Sequence, residues 1–197
     1  MKKDYLSRAG KTILIMVVVV GSITYVHGLN KHAHSPLAGQ TSTAQAGSPA
    51  DSFEDLLDAI EWVESRGDPN AVGDNGKAVG AYQIWKIYVD DVNRIIALYM
   101  KDVDFRFTYK DRWDKDESRT IVGIYTNHYS KHYLVDTWQL GMSSNEASAR
   151  IHNAGPDGWR NDPEWFVRNR DYTLEKAKKK IANAKKYWAK VKARLEK

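Results

Sequence analysis

From Phe53 onward the apolar residues Phe53, Leu56, Leu57, Ile60 and Val63 return every three or four positions, which marks the buried stripe of an α-helix. A carboxylate lies on that stripe. Glu64 follows Ile60 by four residues and Leu57 by seven, so its side chain is carried to the core side of the helix. Glu54, Asp58 and Glu61 fall on the polar face and read as solvated. Asp51 or Ser52 can cap the helix start, with Glu54 or Asp55 three residues on, and Gly67, Asp68 and Pro69 end it just past Glu64. Glu64 then stands in the last turn, where partial burial and the negative end of the helix dipole favour the protonated carboxyl. A proton held in this way is available for donation, as a general acid requires. The pattern leaves a second reading open, a helix-end Glu paired with Arg66 or another cation.

Gly67, Gly73, Gly76 and Gly80, with Pro69 and Asn70, make the following segment rich in turns, and it closes on an amide, Gln83, before a second amphipathic helix. Such a loop can wrap a cleft. Four short motifs follow one another along the chain: Glu64-Ser65, Gly80-Ala81-Tyr82-Gln83-Ile84, His152-Asn153-Ala154-Gly155, and Tyr187 on a late helix. In this order they resemble the catalytic core of the soluble lytic transglycosylase and goose-type lysozyme superfamily, over roughly residues 53–195. Between Lys86 and Glu146 the match is one of general helical character alone.

The resemblance implies a mainly α fold of the α+β lysozyme-like kind, a single compact helical domain with a substrate cleft and a long basic C-terminal helix. It also implies cleavage of the β-1,4 bond between N-acetylmuramic acid and N-acetylglucosamine in peptidoglycan glycan strands, with Glu64 as general acid and base. Ser65, Tyr82, Gln83, His152, Asn153 and Tyr187 become the expected substrate-binding positions. Two residues depart from the family pattern. Ala81 and Tyr82 stand where Leu and Met are usual, so the sugar site is expected to differ in shape, with Tyr82 offering a ring face and a hydroxyl. His152 replaces the Tyr that hydrogen-bonds the catalytic carboxyl in relatives. A neutral His can donate such a bond, whereas a protonated one would favour the Glu64 carboxylate. Packing near the helix end, or pointing to solvent, explains His152 equally well.

Asp74, in the run Gly73-Asp74-Asn75-Gly76-Lys77, resembles the goose-type acidic residue implicated in positioning water. Asp before Asn-Gly is also ordinary turn chemistry, and that role is the one favoured here. The choice bears on mechanism. Hydrolysis with inversion needs a second carboxylate to activate water, while the transglycosylase route lets one Glu act as acid and then base, with the muramoyl hydroxymethyl oxygen as nucleophile. Both routes stay open.

Lys2, Lys3, Arg8 and Lys11 precede an apolar core from Ile13 to Val20 that extends more weakly to Val26, the layout of a secretory signal over residues 1–28. Export is expected, to the periplasm, the cell envelope or the medium, with cleavage after Gly28 preferred over an uncleaved anchor. Residues 29–50, rich in Ser, Ala, Gly, Thr and Gln, read as a flexible linker, and His27, His32 and His34 belong to that composition rather than to a metal site. Residues 51–197 then form one domain, long enough to bury a core without disulfides. The chain has no cysteine, which removes thiolate chemistry and the usual structural zinc patterns. It also lacks a phosphate-cradling glycine motif and a zinc-protease His pair, so no cofactor or metal is expected. His128 and His132 are four apart but have no third ligand.

Ile84, Tyr88, Val92, Ile95, Ile96 and Tyr99 form a second helical stripe, and Ile121, Val122, Tyr125, His128 and Tyr129 a third; core packing accounts for both. Ser143 with Glu146 reads as a capping box for a short helix through Ile151, ended by Asn153, Gly155 and Pro156, with Asn153 a candidate left-handed cap. The last helix carries Leu174, Ala177, Ile181, Ala184, Trp188, Val191 and Leu195 on one side and Lys on most of the rest. Docking on the domain's own core is expected, and the chain is expected to be monomeric. The basic face suits teichoic or other anionic wall polymers, although a solvated face is the default. Some of the tryptophans can line sugar subsites, while most aromatics of a small domain serve its core. Besides the peptidoglycan-cleaving enzyme, an inactive wall-binding or assembly module of the same fold stays open, supported by His152. A nucleic-acid binder rests only on the net charge of +5 and conflicts with the export signal, so no nucleic acid is expected.

Overall fold

A computed structural model describes residues 52–101, 104–136 and 141–197, with backbone alone for 132–136. The expected signal, the linker, the three early histidines and Asp51 lie outside the described residues, and so does the side chain of His132. Among the described residues the chain is mainly helical, in the order α1 (Phe53–Ser65), β1 (Val72–Gly73), β2 (Ala78–Val79), α2 (Lys86–Tyr99), α3 (Lys115–Asp136), α4 (Ser144–Ala154), α5 (Pro163–Arg170) and α6 (Leu174–Leu195). None of these helices is long and apolar enough to cross a membrane.

Helix α1 starts where Ser52 accepts from the backbone N–H of Asp55 and stops at Arg66, whose backbone turns left-handed. Leu56, Leu57 and Ile60 are fully buried, each worth about 1.5–3 kcal/mol of transfer free energy. Glu61 is buried too, contrary to the expectation of a solvated residue, with Lys115 Nζ at 2.8 Å. The helix is covered on more than one side, so its buried face is wider than the apolar stripe alone. Glu54 and Asp58 stay exposed and share Arg119 of α3.

The two short strands pair antiparallel, Val72 with Val79 and Gly73 with Ala78. Their connection passes through left-handed backbone at Asp74, Asn75 and Gly76, conformations that Asp, Asn and Gly tolerate best. Gly80 sits where nothing larger fits. A Cβ there would lie 1.8 Å from the Arg112 carbonyl oxygen, and its φ is +78°. Arg112 is buried and donates to the carbonyls of Tyr109, Lys77 and Ile84, fastening this loop to the 3₁₀ turn Tyr109–Trp113. The stretch before that turn, which buries Phe105 and Phe107, is not helical, against the general helical character that the sequence suggested.

Helix α3 runs through the core and is buried on all sides from Ile121 to Thr126. Its buried hydroxyls return to their own helix, Thr120 to Asp116 O and Thr126 to Val122 O. Tyr99 of the second stripe stands exposed, and its hydroxyl meets His128 Nδ1 at 3.3 Å. Helix α4 begins as expected, with Ser143 accepting from Glu146 N–H, while the Glu146 carboxylate reaches Arg150 instead of closing a capping box. The helix continues to Ala154 and is capped by Gly155, so Asn153 is not the cap. Helix α6 packs on α1, α4 and α5, burying Ala177, Ile181, Ala184, Tyr187 and Val191 while leaving most of its lysines exposed. Tyr187 thus joins a seam whose ends, Leu174 and Leu195, are open to solvent to different degrees.

Candidate active site

The end of α1, the β1–β2 loop, the start of α2, the middle of α3 and the end of α4 converge on a cleft of about 810 Å³. Its size is that of a small-molecule site. Glu64 lies in its wall with the side chain 18% exposed, enough for contact with a bound molecule. The basic group that faces it among the described residues is His152 of α4 rather than Arg66, with Nε2 3.4 Å from Glu64 Oε1. The imidazole is held from the other side by Tyr88 of α2, whose hydroxyl lies 3.2 Å from Nδ1. His152 is therefore neither solvent-directed nor idle packing; its side chain is 4% exposed and bridges two polar partners.

Tyr88 and Tyr125, read from sequence as core residues, both line the cleft. Their rings stack with centroids 3.7 Å apart. Burial, with Tyr125, Glu64 and Asp91 adding to it, holds the Tyr88 phenol well above the ordinary tyrosine range. Burial and then Asp91 do the same for Tyr125. Behind Glu64 the buried hydroxyl of Tyr187 has no hydrogen-bond partner at good geometry, yet burial and the nearby Glu64 charge push this phenol far up as well. All three phenols keep their protons near neutral pH. Glu64 is thus flanked by neutral O–H groups and one imidazole.

Asp74 lines the same cleft from the hairpin turn. Its turn conformation and its place in the cleft hold together, because Trp85 Nε1 donates to Asp74 Oδ2 at 3.2 Å and aims the carboxylate. Trp85 and Ile87 form an exposed apolar lip, 41% and 71% accessible, and Lys77 Nζ sits over the indole at 5.4 Å. Farther along, Asp91 accepts from Tyr129 and pairs with Arg94, whereas Asp90 accepts from Tyr109. The Asp91 contact and burial raise the Tyr129 phenol to about 12, burial being the larger cause. These carboxylates were not picked out from sequence, since nothing in the helical period of α2 separates a cleft-facing Asp from a solvated one.

The expected substrate contacts divide. Asn153 is exposed and lines the cleft. Gln83 lines it too, with its amide nitrogen committed to the carbonyls of Gly80 and Ala71 and its backbone held at φ 50°. A Cβ on Gly73 would come within 2.4 Å of Gln83 Oε1, so the glycine makes room for this amide. Ser65 does not line the cleft. Its hydroxyl donates to Ala81 O and accepts from Gly67 N–H, which ties the end of α1 to the loop. Tyr82 is fully buried and turned into the core, where its hydroxyl accepts from Arg119 at 3.0 Å, so its ring is no part of the cleft wall. Tyr187 stands behind Glu64 rather than in the cleft. Among the described residues no group of three His, Asp or Glu side chains converges as a metal site would require.

The chain matches no known family, no curated protein and no solved structure.

Proposed function

We propose that this domain cleaves peptidoglycan glycan strands at the β-1,4 bond between N-acetylmuramic acid and N-acetylglucosamine, with Glu64 as general acid and base. The observation that carries the reading is Glu64 at a helix end in the wall of a cleft, set against the His152 imidazole, with Asp74 on the same cleft. An acid that protonates a leaving oxygen, beside a second carboxylate able to hold water, is the equipment of glycoside cleavage. The order of Glu64-Ser65, Gly80 to Ile84, His152 to Gly155 and Tyr187 adds support for a lysozyme-like domain, and the basic-then-apolar residues 1–28 support export to the wall. The lip of Trp85 and Ile87 offers the apolar surface on which a sugar face packs.

Purified peptidoglycan incubated with the protein, with released muropeptides read by mass spectrometry, tests the reading. Products lighter by one water indicate transglycosylation, and reducing-end products indicate hydrolysis. Asp74→Asn then separates the routes a second way. A hydrolase that uses Asp74 to activate water loses roughly 100-fold or more in rate, in line with general base catalysis, whereas a transglycosylase keeps its rate within about threefold. A second reading, a wall-binding module without turnover, draws on the same His152: a protonated imidazole beside Glu64 would keep the carboxylate ionised and unable to donate. Binding to wall material without any release of muropeptides by the folded protein decides for that reading.

A further inference from the structure

We propose that Tyr88 is a positioning residue that fixes which ring nitrogen of His152 carries its proton, so that Nε2–H faces Glu64. This rests on the reading of Glu64 as the proton donor. A neutral imidazole has one N–H and one bare nitrogen, and the two are not equivalent here. His152 Nε2 faces the Glu64 carboxyl at 3.4 Å, while Nδ1 faces the Tyr88 hydroxyl at 3.2 Å. Were Nε2 bare, it would accept the very proton that Glu64 has to deliver to a leaving oxygen. With Nε2 protonated, the imidazole cannot take that proton, and it stabilises the carboxylate formed when the proton has left.

Tyr88 selects between these states because its oxygen keeps a hydrogen that needs an acceptor. The phenol is half-buried, stacked on Tyr125, and near Glu64 and Asp91, all of which oppose its ionisation. His152 Nδ1 is the acceptor within reach. The imidazole is faced by Glu64 from α1, by Tyr88 from α2 and by Tyr187 from α6, with Tyr125 of α3 behind Tyr88. Of these, Glu64 is the carboxylate, and the three phenols stay neutral. The stack on Tyr125 holds the Tyr88 ring, which meets the His152 ring edge-on with centroids 5.8 Å apart. At 3.4 Å the Nε2 contact is at the long end for a hydrogen bond.

The full chain labelled with ¹⁵N-histidine, with His152 assigned through a His152→Gln variant, reports the tautomer by two-bond ¹H–¹⁵N correlation spectra. The expected result is Nε2–H in the wild type and a shift toward Nδ1–H, or a mixture, in Tyr88→Phe. That substitution keeps the stack on Tyr125 and removes only the hydroxyl. In wall digestion, Tyr88→Phe is expected to lower kcat by roughly tenfold, a fraction of what general acid catalysis supplies, with KM within about twofold and a displaced pH–rate profile. Nδ1–H in the wild type overturns the proposal outright, with no variant required. The same Nε2–H pattern in wild type and in a folded Tyr88→Phe overturns it as well. A tautomer shift in a protein whose wild type releases no muropeptide upholds the Tyr88–His152 coupling while removing the enzymatic reading, so the two failures are distinguishable.

Discussion

Glu64→Gln is expected to lower muropeptide release by about 100- to 10,000-fold, the range that a positioned general acid supplies, which at 1.36 kcal/mol per decade is about 3–5 kcal/mol of transition-state stabilisation. The substitution is chemically narrow. The amide keeps the shape of the side chain and still offers His152 Nε2 an oxygen at the position of Oε1, 3.4 Å away in the wild type. What it lacks is a proton acidic enough to pass to a glycosidic oxygen. Because Glu64 is partly open to the cleft and carries no close salt bridge to Lys or Arg among the described residues, the fold is expected to hold, with thermal stability within about 0.5 kcal/mol of wild type. Rate and melting temperature measured on the same preparation check both halves. Turnover within tenfold of wild type would remove Glu64 as the acid and pass the candidacy to Asp74, Asp90 or Asp91, the other carboxylates on the cleft. A collapsed melting temperature would instead make Glu64 a structural residue.

Helix α1 was legible in the sequence because its apolar spacing, its Ser52 cap and its Gly67–Pro69 stop agree with one another, and that agreement placed Glu64 at a helix end. Helix α6 was legible for the same reason. What a single period cannot tell is which neighbour covers each face. Glu61 is buried because Lys115, from an element more than fifty residues away, reaches it at 2.8 Å. Tyr82 turns into the core because Arg119 waits there to donate to its hydroxyl. Tyr88 and Tyr125 fit apolar stripes and do pack against each other, yet the surface they form together is cleft wall. Aromatic residues satisfy a packing pattern and a site pattern with the same spacing, so only the meeting of α2, α3 and α4 separates the two. Of the three residues that the sequence offers as the α4 stop, Gly155 is the cap, and Asn153, in the last turn of the helix, faces the cleft.

Arg150→Met is expected to lower stability by about 3–5 kcal/mol, the summed cost of leaving several part-buried acceptors without their charged donor, at roughly 1–3 kcal/mol for each unsatisfied group. Arg150 is fully buried, with Nε on the Gly158 carbonyl, Nη2 on the Arg160 carbonyl and the Asn161 amide oxygen, and Nη1 on Glu146 at 3.2 Å. Met fills much of the volume but satisfies none of these acceptors, which would be left under α4 without a donor. At roughly 2–4 °C per kcal/mol for a chain of this size, the melting temperature should fall by about 6–20 °C. The effect reaches the cleft. The loop that Arg150 holds follows directly from Asn153, Gly155 and Pro156, which line it, so wall cleavage at low temperature should weaken even while the rest of the domain stays folded. Arg150→Lys restores the charge without the planar fork and should recover only part of the loss. A melting temperature within 2 °C of wild type in Arg150→Met, at the roughly 2–4 °C per kcal/mol just used, would show that the loop finds other partners and that the buried guanidinium does not hold this wall of the cleft.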